Sequence, residues 1–312
     1  MPGYQDYRTL FDKEIVQRSK GIIFSFSPLC DTHIYQPYCH SISADAVEKL
    51  GELMRHDLLF YSYGEDEVID YYKKGAFPSL QNAAKYAYKY RLPHRNPARD
   101  GLPGEVLLDL LVQIYNPNAH KLAVRTIFRQ ADNNEIKGYD LTYFSKDDSG
   151  ISLWLGQAKL GGKSYCMKGI DKDLIEKYAT SYLSKQLYFV CDKRISISEN
   201  AKSILEEIET INLRTFEDDE AASAQRLIDH LNKRGIRVKI PCLLAYEGNG
   251  VYQDAAKLYE RLMAEAEDMK TFFNGRHYKF TGFLPDIVFY VFPIESIDRL
   301  RDKENGFYAG LF

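Results

Sequence analysis

This 312-residue chain is poor in the residues and patterns that build special scaffolds. Its five cysteines, Cys30, Cys39, Cys166, Cys191 and Cys242, form an odd, scattered set with no CxxC pair. That argues against a disulfide framework and for a reducing cytoplasm. The longest apolar run, Ile287 to Phe292, is far too short to cross a bilayer. The opening residues MPGYQDYRTLFDKE carry no signal-peptide core, which again points to the cytoplasm. Neither sign of charge dominates, since 41 Lys and Arg against 44 Asp and Glu leave −3. The whole molecule is therefore not a polycation wrapped on nucleic acid. There is no Gly-x-x-x-x-Gly-Lys-[Ser/Thr] loop, so any ATP-driven motor must be another chain. No Gly-x-Ser-x-Gly elbow marks a hydrolase serine.

What remains is an ordinary folded composition, 45% hydrophobic and 27% charged, on a chain long enough for one large domain or two. Charge is distributed unevenly. Between Lys73 and Arg129 ten basic residues meet three acids, whereas between Glu199 and Glu220 two basic residues meet eight acids. Opposite fields on one chain suggest a phosphate-facing side and a side turned towards a partner. In the basic stretch Lys85, Lys89 and Arg91 alternate with Tyr86, Tyr88 and Tyr90. The cations suit phosphates and the rings suit bases, although a solvated helix face or a dock for an acidic partner fits the same pattern. Cys30, His33, Cys39 and His40 are too irregularly spaced for a zinc knuckle, and free thiols with core histidines are the preferred reading.

Ser43 and Ser79 have the character of N-caps for two helices in the first 95 residues. The segment PHRNPARDGLPGE, with Pro93, Pro97 and Pro103, then reads as a linker and sets a boundary between residues 1–95 and 96–312. Val106 to Tyr115 is apolar almost all round and predicts a buried helix. Strands are expected at Leu122 to Phe128, Tyr139 to Phe144 and Ile151 to Lys159. A helix from about Asp171 to Leu183 should follow, then helices at Leu205 to Ile211 and Ala221 to Lys233. Ile236 to Tyr246 predicts a strand that Pro241 should push to an edge or a bulge. A helix through Ala255 to Met269, a strand from Asp286 to Phe292 and a short helix near Ser296 complete the order. The sum is an α/β fold, one mixed sheet with helices packed on it.

One hairpin concentrates the chemistry. A turn centred on SKDDSG (145–150) would set Asp140 opposite Leu155, with Gln157 as its diagonal neighbour and Lys159 on the same face. Glu105 heads the buried helix, where the unpaired N–H groups favour an acid. Hydrolysis of a phosphodiester needs a metal to polarise the phosphoryl oxygen and ready a water. Mg²⁺ (or Mn²⁺) takes one or two carboxylates, keeps waters and borrows substrate oxygens. Glu105 and Asp140 would supply carboxylates, and the Gln157 amide and the Ala158 carbonyl neutral oxygens. Lys159 would orient the attacking water, and its loss is worth about 3–4 kcal/mol of transition-state stabilisation by analogy with an oxyanion-hole donor. Lys163 and Lys168 follow closely enough to contact phosphates.

This arrangement resembles the P-D-(D/E)-x-K nuclease superfamily, with Asp140 as the motif aspartate and Gln157-x-Lys159 as the D/E-x-K element. GEVLLDLL, KGYDLTYF, LWLGQAKLGGKSY, VKIPCLLAYE and DIVFYVFPIESIDRLRD resemble more closely the HamA family of Hachiman anti-phage nuclease subunits and the related AbpA. The resemblance runs from about residue 103 to the C-terminus. It implies a restriction-endonuclease-like mixed β-sheet core flanked by helices, with an N-terminal α+β domain suited to partner docking. It also implies Mg²⁺ or Mn²⁺ as cofactor, DNA as substrate, a HamB-like superfamily 2 helicase as partner, and no membrane. Gln157 departs from the motif, because glutamine removes a charge from the metal site. A catalytically degenerate DNA-binding or regulatory subunit is the alternative.

Overall fold

The structure, a computed structural model, describes residues 4–93, 96–124, 138–148, 150–192, 199–215, 217–280 and 282–312. Among these, eight strands form one mixed sheet: β1 (Ile23–Ser25), β2 (Leu29–Cys30), β3 (Ile34–His40), β4 (Ala119–Lys121), β5 (Leu141–Asp147), β6 (Gly150–Gly161), β7 (Ile236–Glu247) and β8 (Asp286–Ile294). Their order is β1-β3-β8-β7-β6-β5-β4, with β2 paired to β3. The β3–β8, β7–β8 and β6–β7 pairs are parallel, and the remaining pairs are antiparallel. The amino-terminal strands thus extend the same sheet as the carboxy-terminal ones.

Period-two alternation sorts β6 between two cores. Trp154 and Leu160 enter a core with the Ala46–Ser62, Leu80–Tyr90 and Leu102–Tyr115 helices. Leu153 and Leu155 enter the other, with the Lys163–Glu176, Thr180–Asp192, Glu199–Arg214 and Glu220–Lys233 helices. The Leu102–Tyr115 helix is buried all round, as its composition requires.

Several local expectations shift. Pairing runs from Asp147↔Gly150 to Leu141↔Gly156, so partners are offset by two residues from those of a turn centred on SKDDSG, and the hairpin turn is four residues shorter than that loop. Gly150 absorbs it at φ +114°, a conformation that favours glycine. Leu155 therefore faces Thr142 rather than Asp140. Of the strand expected at Leu122 to Phe128, residues 125–128 lie outside the described residues, and Leu122 to Val124 form no strand. Ser79 caps its helix, its hydroxyl accepting from the Asn82 N–H at 3.2 Å. Ser43 instead opens a turn through its carbonyl, and Asp45 is the N-cap. The helix expected over 171–183 breaks after Glu176. There Tyr139 donates its hydroxyl to the Lys177 carbonyl at 2.8 Å and Tyr178 donates its own to the Leu155 carbonyl at 2.6 Å, ending the helix on the sheet.

Pro241 is neither at an edge nor in a bulge. It lies in β7, between β6 and β8. The β6–β7 register is unchanged from Trp154↔Lys239 to Gln157↔Cys242, and only the pairing between those points lapses. The lapse coincides with the missing N–H of proline. Gly156 makes room for the ring, since a Cβ there would lie 3.1 Å from Pro241 Cγ and 3.0 Å from Leu108 Cδ2 and Leu141 Cβ. Gly156→Ala is expected to cost about 1–3 kcal/mol by overpacking, read as a lower urea midpoint. An unchanged midpoint would refute that packing account.

Asp57, inside the Ala46–Ser62 helix, has neither carboxylate oxygen hydrogen-bonded. Burial, with the Asp109 charge adding to it, raises its pKa well above the ordinary carboxylate range. A raised acid contributes stability that is complete below its unfolded pKa and is lost as pH rises through its folded pKa. Asp57→Asn cannot ionise, so its urea midpoint should fall less than the parent's between about pH 5 and about pH 9. Parallel pH curves would sink the assignment.

Candidate active site

Asp140 stands just before β5 and grips β6. Its N–H donates to the Gly156 carbonyl at 2.9 Å, and its Oδ2 accepts from the Ala158 N–H at 2.8 Å. The two bonds straddle Gln157. Gln157 and Lys159, two residues apart on β6, share the face that packs against the Lys163–Glu176 helix. Gln157 Oε1 accepts from Lys177 Nζ at 2.5 Å, and Lys159 Nζ donates to Asp173 Oδ2. Asp173 also meets Lys177 at 3.4 Å. Burial pulls the Lys159 pKa down, but the Asp140 and Asp173 carboxylates outweigh it and hold the ammonium above its ordinary value. A cavity of about 630 Å³ opens beside this cluster, lined by Lys159, Lys172, Asp173, Lys177 and Tyr182 among others.

Glu105 approaches from the other side of the sheet. Gly104 lets the first turn of its helix press on β6, where a Cβ would come within 3.0 Å of Leu160 Cβ. Glu105 Oε2 accepts from the Tyr61 hydroxyl at 2.9 Å. Tyr61 and Asp140 both border a small cavity of about 20 Å³. Asp140, Gln157, Ala158 and Lys159 are therefore adjacent, and Glu105 is tethered to a residue that shares a cavity with Asp140.

The donor set fits a magnesium ion at its minimum. Mg²⁺ needs one or two carboxylates, with waters and substrate oxygens for the rest. Asp140 is a carboxylate oriented by a backbone donor, and Glu105 is an acid held by Tyr61, which borders a cavity with Asp140. Gln157 does not add an oxygen in this arrangement. A lysine ammonium only donates, so the amide atom meeting Lys177 must be the oxygen, and NH₂ occupies the other side. That NH₂ is buried and has no hydrogen-bond partner. No group of three or more His, Cys, Asp or Glu among the described residues could hold a metal.

The basic residues separate by environment. Lys85, Lys89 and Lys168 are exposed, with Lys89 lying over the Tyr90 ring. Arg91 pairs with Glu67 at 2.7 Å and stacks on Tyr63, and Lys163 pairs with Glu265 and Asp268. Those two cations are committed within the chain. Cys39 is buried, and His40 accepts the Glu295 N–H at Nε2 and donates from Nδ1 to the Ser41 carbonyl. Burial lowers the His40 pKa to about 4, as suits a neutral core histidine.

Sequence reading missed Tyr61, Lys172, Asp173 and Lys177. Asp173 and Lys177 carried one usable signal: spaced by four in a helical segment, they present one face.

Gly169 offers a direct check on Lys159. A Cβ at Gly169 would lie 2.9 Å from Lys159 Cε, the flexible end of a side chain. Gly169→Ala should gain up to about 1 kcal/mol of helix propensity while displacing that ammonium. The expected result is an unchanged or higher melting temperature with weaker phosphate-backbone binding, measured by DNA fluorescence anisotropy. Undiminished DNA affinity would separate Lys159 from phosphate recognition.

A family model described as HamA matches residues 18–311 of the chain. No curated protein matches it.

Proposed function

The chain belongs to the HamA family, and from that membership together with the site we propose a metal-dependent DNA nuclease, the effector of a two-component Hachiman defence pair. Membership itself supports a component of anti-phage defence. The finer reading is a restriction-endonuclease-like core of the P-D-(D/E)-x-K type, working with a HamB-like superfamily 2 helicase. The observation that carries it is the clasp of Asp140 across Gly156 and Ala158, beside Lys159 and Asp173 at the edge of an open cavity.

Asp140, with Glu105, would hold Mg²⁺ or Mn²⁺, which when bound polarises the phosphoryl oxygen and acidifies a water. The chain's own residues supply the rest. Lys159, Lys172 and Lys177 bring three ammonium groups to the cavity wall against Asp173 and Glu176, giving an anionic backbone a place to bind. Lys159, fixed by its carboxylate partners, orients the substrate and offsets negative charge developing on phosphorus. Lys85, Lys89 and Lys168 extend the phosphate contacts outside the cavity. The first 95 residues and the acidic segment 199–220 are proposed docking regions for the helicase. Among the described residues no helix is long and apolar enough to cross a membrane.

Gln157 favours a second reading, a subunit that binds DNA without cutting it, because its amide presents no oxygen to a cation. Plasmid degradation with Mg²⁺ or Mn²⁺ separates the two. On the nuclease reading Lys159→Ala loses about a hundredfold or more of the parent rate, in line with losing about 3 kcal/mol of transition-state stabilisation. Cleavage that appears only with Gln157→Glu would support the silent subunit. Equal residual cleavage by parent, Lys159→Ala and Gln157→Glu would remove the active-site assignment.

A further inference from the structure

The Lys163–Glu176 helix and its C-cap deliver two ionic groups to alternate residues of β6. Lys177 reaches Gln157, and Asp173 reaches Lys159 while also meeting Lys177. The result is a chain of contacts, Gln157–Lys177–Asp173–Lys159, in which two lysines share one carboxylate. Its two ends are the two residues of the Gln157-x-Lys159 motif. Neither Asp173 nor Lys177 belongs to that motif.

Lys177 determines what Gln157 can do. With the amide oxygen held by the ammonium, rotating the amide would set NH₂ against NH₃⁺, two donors face to face. The NH₂ group is thereby turned away from Lys177 and left buried without a partner. A buried orphan donor forfeits its hydration without a replacement, a penalty that an oxygen bound beside it would relieve.

We propose that Asp173 and Lys177 are positioning residues of the site. Lys177 holds Gln157 as a hydrogen-bond donor to an oxygen bound next to Asp140, and Asp173 holds the Lys159 ammonium in place. Gln157 then serves the reaction without ligating the metal, so the motif acid is replaced by a lysine-oriented amide. This rests on the nuclease reading and adds two residues to its site.

The test compares the full-length parent with Lys177→Met, Lys177→Arg, Gln157→Met and Asp173→Asn. In DNA cleavage at saturating Mg²⁺, Lys177→Met and Asp173→Asn should lower kcat about tenfold or more with KM within about threefold, and Lys177→Arg should recover much of the loss. Mn²⁺ affinity, followed by electron paramagnetic resonance, should stay within about twofold of the parent in Lys177→Met and Gln157→Met. Parental kcat in Lys177→Met, or Mn²⁺ binding weakened about tenfold in Gln157→Met, would overturn the proposal. If the parent cuts no DNA, the nuclease reading fails separately and the Gln157 side-chain amide decides. Its NH₂ resonances, assigned by their absence in Gln157→Met, should exchange with solvent at least about tenfold faster in Lys177→Met. Unchanged exchange would also overturn the proposal. Melting curves check folding, and Lys177→Arg carries the comparison if Lys177→Met does not fold.

Discussion

Asp140 makes two hydrogen bonds to β6, one through its backbone N–H to Gly156 and one through its carboxylate to Ala158. Because they fall on either side of Gln157, they hold that residue and Lys159 in a defined position where β5 is only beginning. The carboxylate is a structural fastener as well as the leading acid of the proposed site. A carboxylate held by a backbone donor keeps its direction without a flexible partner, the kind of preorganisation that phosphoryl chemistry requires.

Around that clasp the site draws on both faces of the sheet. From one face Gly104, lacking a side chain, lets the helix carrying Glu105 press on β6, and Tyr61 holds the Glu105 carboxylate. From the other, Asp173 and Lys177 reach the motif residues directly. Behind the site lies a buried polar layer: Tyr143 and Gln113 both donate to Asp109 at 2.6 Å, and Lys121 approaches Asp109 at 3.9 Å. Asp57, beside them, carries its raised pKa because burial, and then the Asp109 charge, disfavour its ionised form. A neutral acid there costs less than a charge without partners.

Tertiary packing decides which cations stay available. The basic run from Lys73 to Arg99 is continuous in sequence, yet Arg91 is spent on Glu67 and Tyr63, whereas Lys85 and Lys89 face solvent. Lys163, two residues beyond β6, is neutralised by acids about a hundred positions later. Lys172 and Lys177, unremarkable in the sequence, line the cavity. Ion pairing depends on which helices pack together, and a linear count of lysines does not contain that information.

The elements legible in the sequence were those written in local periodicity: the largely apolar helix expected over Val106 to Tyr115, the β5–β6 hairpin, the Ser79 cap, and the shared face of Gln157 and Lys159. Side-chain alternation along a strand holds whatever the register, so the shared face of Gln157 and Lys159 survived a two-residue shift in the β5–β6 register. What the sequence could not decide was set by contacts between distant segments. Pro241 occupies an inner strand because Gly156, from another strand, leaves it room. Glu105 reaches the sheet because Gly104 meets Leu160. The amide of Gln157 points as it does because Lys177, on the next helix, can only donate. Each of these is a packing or donor–acceptor constraint between residues that adjoin only once the chain has folded.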